Sequence, residues 1–272
     1  MDSATVRTVL GDIAAATLGR TNHHEHLFQV SPLLVGDELD DENASQAEAA
    51  SLCDSGFATM VDATPTGLGR RPEALARISA AEGLQVIATT GVHREPHYRP
   101  GHWLLEQTAE QLAERFSRDV LKGLPVSDGP DRAPTAVGPK GEPVRAAGRP
   151  GPRGPQPRPR SARRARGGRR VPRLRRVRPQ PALARLGAAG VPGAQRGARS
   201  GRPHPDGGDV ARRTRYRAYG GMPGLAYLGE RVLPRWERTA DPGLVEAVLA
   251  SNPARWLSGT ENETSGETPD ER

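Results

Sequence analysis

The segment Thr21-Asn22-His23-His24-Glu25-His26-Leu27 places three histidines in four positions. Side chains two apart on a β-strand share a face. On a strand, His24 and His26 therefore point the same way and Glu25 turns to the opposite face. Two imidazoles on one face of a rigid strand can supply two ligands to one divalent cation. The same pattern also suits a polar strand end whose histidines hydrogen-bond to their neighbours. The elements that carry the segment decide what else can reach it.

Val6 to Ile13 mixes β-branched residues with Gly11-Asp12, which reads as a hairpin and its turn. Thr21 to Leu27 is the next strand. Residues 31–42 read as a loop with an acidic run from Asp37 to Glu42. Asn43 can cap an alanine-rich helix through Asp54, and Gly56 stops it. Phe57 to Asp62 reads as a short buried strand. Pro72 suits the first turn of a helix running to Glu82, with Leu75 and Ile78 at helical spacing and Gly83 ending it. Leu84 to Thr89 is a further strand. A helix over Thr108 to Lys122 carries Leu112, Phe116 and Val120 on one stripe. Strand and helix alternating at this pitch indicate parallel βα units. Residues 125–143 lack periodicity and read as a long surface loop, and Val144-Arg145-Ala146 could begin a fourth strand. Beyond residue 207, Ala226 to Leu233 reads as a helix. Leu244 to Leu249 reads as another, with Leu244, Val245, Val248 and Leu249 on its buried side.

The chain has 272 residues, long enough for one α/β barrel or two small domains. Its net charge of +7 suggests an anionic partner until its distribution is read. Residues 147–206 carry 17 arginines and one acid, so the remainder of the chain is acidic, at −9. That tract is built almost wholly from Arg, Pro, Gly and Ala, and it cannot bury enough apolar surface to offset ordering entropy. Disorder is the expectation for it. Cys53 is the only cysteine, so no intrachain disulfide is available. No leader-like or membrane-spanning apolar run is present. A cytoplasmic soluble protein without membrane partners is the expectation.

Several of these segments resemble one family. Leu18-Gly19-x-Thr21-x-x-His24-Glu25-His26-Leu27 is similar to the first metal-binding strand of the phosphotriesterase family, within the amidohydrolase superfamily. Thr8 to Ile13 resembles its opening hairpin, and Val61-Asp62-Ala63-Thr64-Pro65-Thr66-Gly67-Leu68-Gly69-Arg70 its second strand and following loop. Tyr219-Gly220-Gly221-Met222-Pro223-Gly224-Leu225 and Asn252-Pro253-Ala254-Arg255-Trp256-Leu257 resemble its closing segments. The resemblance covers roughly residues 5–146 and 207–258. It implies a TIM-type (β/α)8 barrel of the metal-dependent hydrolase kind, here incomplete and holding a disordered central tract. The division it implies is 1–146 for the N-terminal part of the barrel, 147–206 for the tract, 207–258 for the C-terminal part and 259–272 for an acidic tail.

The family's chemistry implies a binuclear zinc site that hydrolyses an ester, lactone or phosphotriester with a metal-activated water. Small-molecule esters or lactones are the implied substrates, and a homodimer is compatible with the resemblance. His24 and His26 match two of the family's metal ligands. Asp209, in Gly207-Gly208-Asp209-Val210-Ala211-Arg212-Arg213, matches the strand-eight aspartate that binds metal and handles the water's proton. A solvated loop aspartate is the other reading of Asp209. His93 and His97 follow the third barrel strand and are candidates to line a substrate pocket, or are ordinary loop histidines. Asp62 could support the site or cap the loop after it. The bridging lysine has no match: Lys122 ends a helix and Lys140 sits in a turn. The strand-five and strand-six histidines have none either, and His204 lies between prolines. The residues therefore imply a hydrolase with impaired metal binding. The competing reading is a nucleic-acid-binding protein acting through residues 147–206. The tract lacks the interleaved aromatics and lysines that such a role favours. A shifted reading frame in a GC-rich gene, with net loss of sequence, accounts for its composition.

Overall fold

A computed structural model describes residues 4–130, 134–147 and 211–259. All of these lie in one of the chain's two compact units, Met1–Arg149 with Asp209–Arg272. The Arg-rich tract beyond Ala147 and the acidic tail beyond Gly259 lie outside the described residues.

Thr5–Thr8 (β1) and Gly11–Ala14 (β2) pair as an antiparallel hairpin. The turn falls at Val9-Leu10, not at Gly11-Asp12. Val9 is buried, and its N–H donates to the Val86 carbonyl at 2.9 Å, so it serves the core instead of extending a strand. Gly11, with φ +115°, opens the second strand, and Arg7 pairs with Asp12 across the hairpin.

Thr21–Glu25 (β3), Thr59–Asp62 (β4) and Gln85–Ala88 (β5) form a parallel sheet in the order β3-β4-β5. Helix α1, Glu42–Asp54, lies between the first two strands in sequence, and helix α2, Pro72–Glu82, between the second and third. Asp41, not Asn43, caps α1: its carboxylate accepts the Ala44 N–H at 3.0 Å. Helix α2 runs over the expected residues, because Pro72 starts it and Gly83, in the left-handed region, ends it.

Helix α3, Ala109–Leu121, begins at a capping box formed by Thr108 and Gln111. The expected apolar stripe of Leu112, Phe116 and Val120 is only half-buried. The buried positions of α3 are Arg115 and Asp119, one helical turn apart. Residues 124–146 are less loop-like than their composition suggests. Leu124, Ala136, Val144 and Ala146 are fully buried, and short bridges join Pro125 to Thr135 and Val137 to Pro143. The Ala147 N–H donates to the Ala88 carbonyl at 2.9 Å, which ties this segment to the end of β5 without adding a strand to the sheet.

After two short 3-10 turns, a π-helical stretch at Leu228–Val232 runs into α4, Leu233–Thr239. The helix therefore starts and ends later than Ala226 to Leu233. Helix α5, Pro242–Glu246, continues through a second π-helical stretch into α6, Asn252–Ser258. Val245 and Leu249 are buried and Val248 partly so, but Leu244 is 50% exposed. Asp241 caps α5 by accepting the Leu244 N–H, so Leu244 lies in the exposed first turn of the helix.

The largest cluster of buried residues draws on both halves of the sequence. Leu27, Phe28, Leu52, Met60, Leu75, Ile78 and Val86 of the first half pack with Tyr216, Leu225, Leu233, Val245 and Leu249 of the second.

Candidate functional site

The C-terminal ends of β3, β4 and β5 lie side by side, with Glu25 opposite Asp62 and Asp62 opposite Ala88. Parallel sheets place their chemistry at this end, where the following loops converge. The register between β3 and β4 slips here. Asn22 pairs with Met60 and Glu25 with Asp62, so His23 and His24 together face the single residue Val61. His23 and His24 are exposed as a result, while Glu25 and His26 are buried. Simple alternation does not survive the slip, yet the rings of His24 and His26 still meet. Their centroids are 5.5 Å apart and nearly perpendicular. Two imidazoles sharing one tetrahedral zinc at about 2 Å from each nitrogen have ring centres roughly 5 Å apart. The pair therefore fits the two-imidazole part of a metal site.

Three neighbours fix the exit of β3. Asp62 accepts the Leu27 N–H at 2.9 Å and the Thr64 N–H at 3.0 Å, so it supports the strand end and caps its own loop at once. The Thr64 hydroxyl donates to the Phe28 carbonyl at 2.6 Å and lies 3.0 Å from Nδ1 of His26. The Tyr216 hydroxyl donates to the His26 carbonyl at 2.6 Å. Complete burial pushes the Tyr216 phenol well above its ordinary range, with the nearby carboxylates of Glu25, Asp62 and Glu48 adding to the effect. It serves as a neutral donor. Thr64 lay inside the recognised second-strand motif, but nothing in its spacing showed which group it would meet. Tyr216 lies in the arginine-rich run Arg212-Arg213-Thr214-Arg215-Tyr216-Arg217, where nothing local points to a partner on β3.

His93 and His97 lie in the loop after β5, with ring centroids 4.0 Å apart. That is closer than two ligands of one ion would sit, so the contact is a ring-on-ring one. Nδ1 of His97 lies 3.2 Å from the Ser31 hydroxyl, which brings the loops after β3 and β5 together at the rim. Beside them, Tyr98 donates its hydroxyl to the Thr66 carbonyl at 3.0 Å and accepts the His93 N–H at 2.9 Å. Asp209 and His204 lie outside the described residues. Lys122 and Lys140 are exposed. Among the described residues, no group of three or more His, Cys, Asp or Glu side chains is arranged to hold a metal ion.

Beneath the rim lies a charge network that the apolar pattern of α3 did not foreshadow. Arg70 is buried and reaches Asp119 at 3.4 Å, Asp128 at 3.3 Å and the Thr89 carbonyl at 3.1 Å. Thr90 donates to Asp119 at 2.6 Å. Burial pushes the Asp128 carboxyl up, and the Arg70 guanidinium offsets part of that.

The model of the phosphotriesterase family matches residues 4–128. The match spans β1 through α3 and contains His24, His26, Thr64, His93 and His97. The chain is similar to a phosphotriesterase homology protein of Mycobacterium tuberculosis, at 33% identity over 133 residues, covering 44% of this chain and 40% of the relative. It is also similar to a phospho-furanose lactonase of Mycoplasmopsis synoviae, at 29% identity over 132 residues, covering 46% of this chain and 37% of that protein. The chain thus spans about two-fifths of the length of the curated relatives it matches. Among solved structures, a lactonase of Listeria monocytogenes aligns over 94% of this chain and all of its own, with a TM-score of 0.63 and 20% identity. At that identity the likeness speaks for the fold alone. A parallel sheet of three strands lies among the described residues. No described helix is long and apolar enough to cross a membrane.

Proposed function

We propose that this chain carries the metal-binding first strand of a phosphotriesterase-like hydrolase acting on an ester, lactone or phosphotriester bond. The observation that carries the reading is the His24–His26 pair, 5.5 Å apart at the C-terminal end of a parallel sheet, within the family-matched stretch. The two imidazoles would hold a divalent cation such as Zn2+, with Asp209 the proposed third ligand and proton acceptor. A cation so held supplies Lewis acidity that makes water nucleophilic near neutral pH. His26, buried and held by Thr64 and Tyr216, is the rigid member of the pair, and His24 is the solvent-facing one. His93 and His97, beside Ser31, are proposed to line the substrate's approach. The names of the relatives favour a small lactone or ester as substrate.

The reading includes impairment. The family's bridging lysine and its two later histidines have no match in the sequence, so at most three of six ligands are retained. Loss of one supporting group already costs roughly 10–100-fold in affinity or activity, and loss of ligands themselves costs more. The test is to purify the chain, titrate zinc and measure bound metal together with lactone and phosphotriester turnover. We expect weak, substoichiometric binding that vanishes in the His24→Ala/His26→Ala double variant. Two tightly held equivalents with enzyme-like turnover would overturn the impairment, and zinc binding unchanged in the double variant would overturn the site.

A further inference from the structure

We propose that Thr64 is a positioning residue that sets the tautomer of His26, holding its proton on Nδ1 and presenting Nε2 as the ligating nitrogen. Two oxygens 2.6 Å apart must share a proton, and a carbonyl has none, so the Thr64 hydroxyl hydrogen lies toward the Phe28 carbonyl. That hydrogen is the only one the hydroxyl has. Nδ1 of His26, 3.0 Å from the same oxygen, therefore donates to it. In a neutral imidazole, a proton on Nδ1 leaves the lone pair on Nε2.

The surroundings make the assignment rigid. Thr64 is fully buried, and His26 and Phe28 are 4% and 1% exposed, so water has little access to substitute for any of the three groups. The backbone of Thr64 is fixed by Asp62, and the carbonyl of His26 by Tyr216. The chain Nδ1–H to hydroxyl to carbonyl runs in one direction only. Reversing it would leave the Phe28 carbonyl facing an oxygen lone pair. The purpose of this device rests on the metal reading above. Its geometry does not.

The readout is the tautomer itself. In the full chain labelled with 15N-histidine, long-range 1H–15N spectra at about pH 8.5, where an ordinary imidazole is neutral, distinguish a protonated Nδ1 from a protonated Nε2. The His26→Gln spectrum identifies the His26 signals among the seven histidines. We expect wild type and Thr64→Ser to show Nδ1–H, and Thr64→Val to show Nε2–H or a mixture. Zinc affinity should fall roughly 10–100-fold in Thr64→Val and recover in Thr64→Ser. A protonated Nε2 in the metal-free wild type would overturn the proposal, whether or not Thr64→Val folds. So would a Thr64→Val spectrum identical to wild type. If the tautomers behave as expected and zinc leaves the His26 signals unmoved, the tautomer assignment stands and the metal reading fails.

Discussion

Glu48 gives the sharpest test of how the second half of the chain is held. It sits on α1 at 1% exposure. One carboxylate oxygen accepts the Ala218 N–H at 2.7 Å and the other accepts the Leu225 N–H at 2.8 Å. Gly224, at φ +82°, turns the chain so that Leu225 can reach it, and a Cβ there would lie 2.8 Å from the Arg217 side chain. Glu48→Gln keeps the shape but replaces one acceptor with an NH2 group, so one backbone N–H then faces a donor. A hydrogen bond to a charged group contributes about 1.5–3 kcal/mol, and an orphaned buried donor costs about 1–3 kcal/mol. The two together predict a loss of roughly 2.5–6 kcal/mol, a large part of the roughly 5–15 kcal/mol that usually separates folded from unfolded. Urea unfolding followed by far-UV circular dichroism measures the whole. Amide exchange resolved along residues 211–258 locates the loss. Exchange there should speed up by the corresponding factor, roughly 10²–10⁴, before β4 and α2 are affected. A variant within about 0.5 kcal/mol of wild type, the range of an ordinary surface change, would refute the clamp.

Three further outcomes are expected. Tyr216→Phe keeps the ring in its pocket and removes the donor to the His26 carbonyl, so stability should fall by about 1–3 kcal/mol in a urea melt, and zinc binding should weaken with it. Asp119→Ala leaves the buried Arg70 with Asp128 alone and should destabilise by roughly 3–5 kcal/mol; a melt shifted by less than 1 kcal/mol, on the order of an exposed pair, would count against the network. Glu42 accepts hydrogen bonds from Arg77 and Arg71 at 2.7 and 3.0 Å, and the Arg77 bond, working against partial desolvation, holds its carboxyl below the ordinary range. The folded state therefore binds this proton less readily than the unfolded chain. The stabilisation is complete above the ordinary glutamate pKa and is lost as pH falls through the folded value. Because the pair is largely exposed, Glu42→Gln should cost only about 0.5–1 kcal/mol at neutral pH, and the difference should close in acid.

The parts of the fold legible in the sequence were those written in local signals. Pro72 and Gly83 bound α2, and the short apolar runs before Asp62 and Ala88 gave two parallel strands in order. Local signals failed where a tertiary partner outweighed them. Val9 left the hairpin to fill the core, so the turn moved off Gly11-Asp12. Helix α3 shows an apolar stripe at the right spacing, but its interior positions are Arg115 and Asp119, because Arg70 arrives from the loop after β4 to pair with Asp119, while Arg115 lies over the Trp103 ring and donates to the Pro130 carbonyl. The His24–His26 pair was readable as a pair. The register slip opposite Val61 was not, since it depends on how β3 meets β4. Thr64 and Tyr216 were unreadable as neighbours of His26 for the same reason: each acts through a single atom whose partner is set by the fold.

The contact between Tyr216 and His26 also has a bearing on chain length. These residues are 190 apart in sequence. For the unfolded chain, the entropy lost in bringing two such points together grows only with the logarithm of the separation, about 0.6 kcal/mol for each doubling. Removing roughly thirty residues from between them would change that cost by about 0.2 kcal/mol or less. Glu48, Asp41 and Ser45, which hold Ala218, Leu225 and Tyr219 over nearly as long a separation, share this insensitivity. Large insertions or deletions between the two halves are therefore almost silent in the equilibrium that joins them. They register instead in the time the halves take to find each other, because contacts so distant in sequence slow folding.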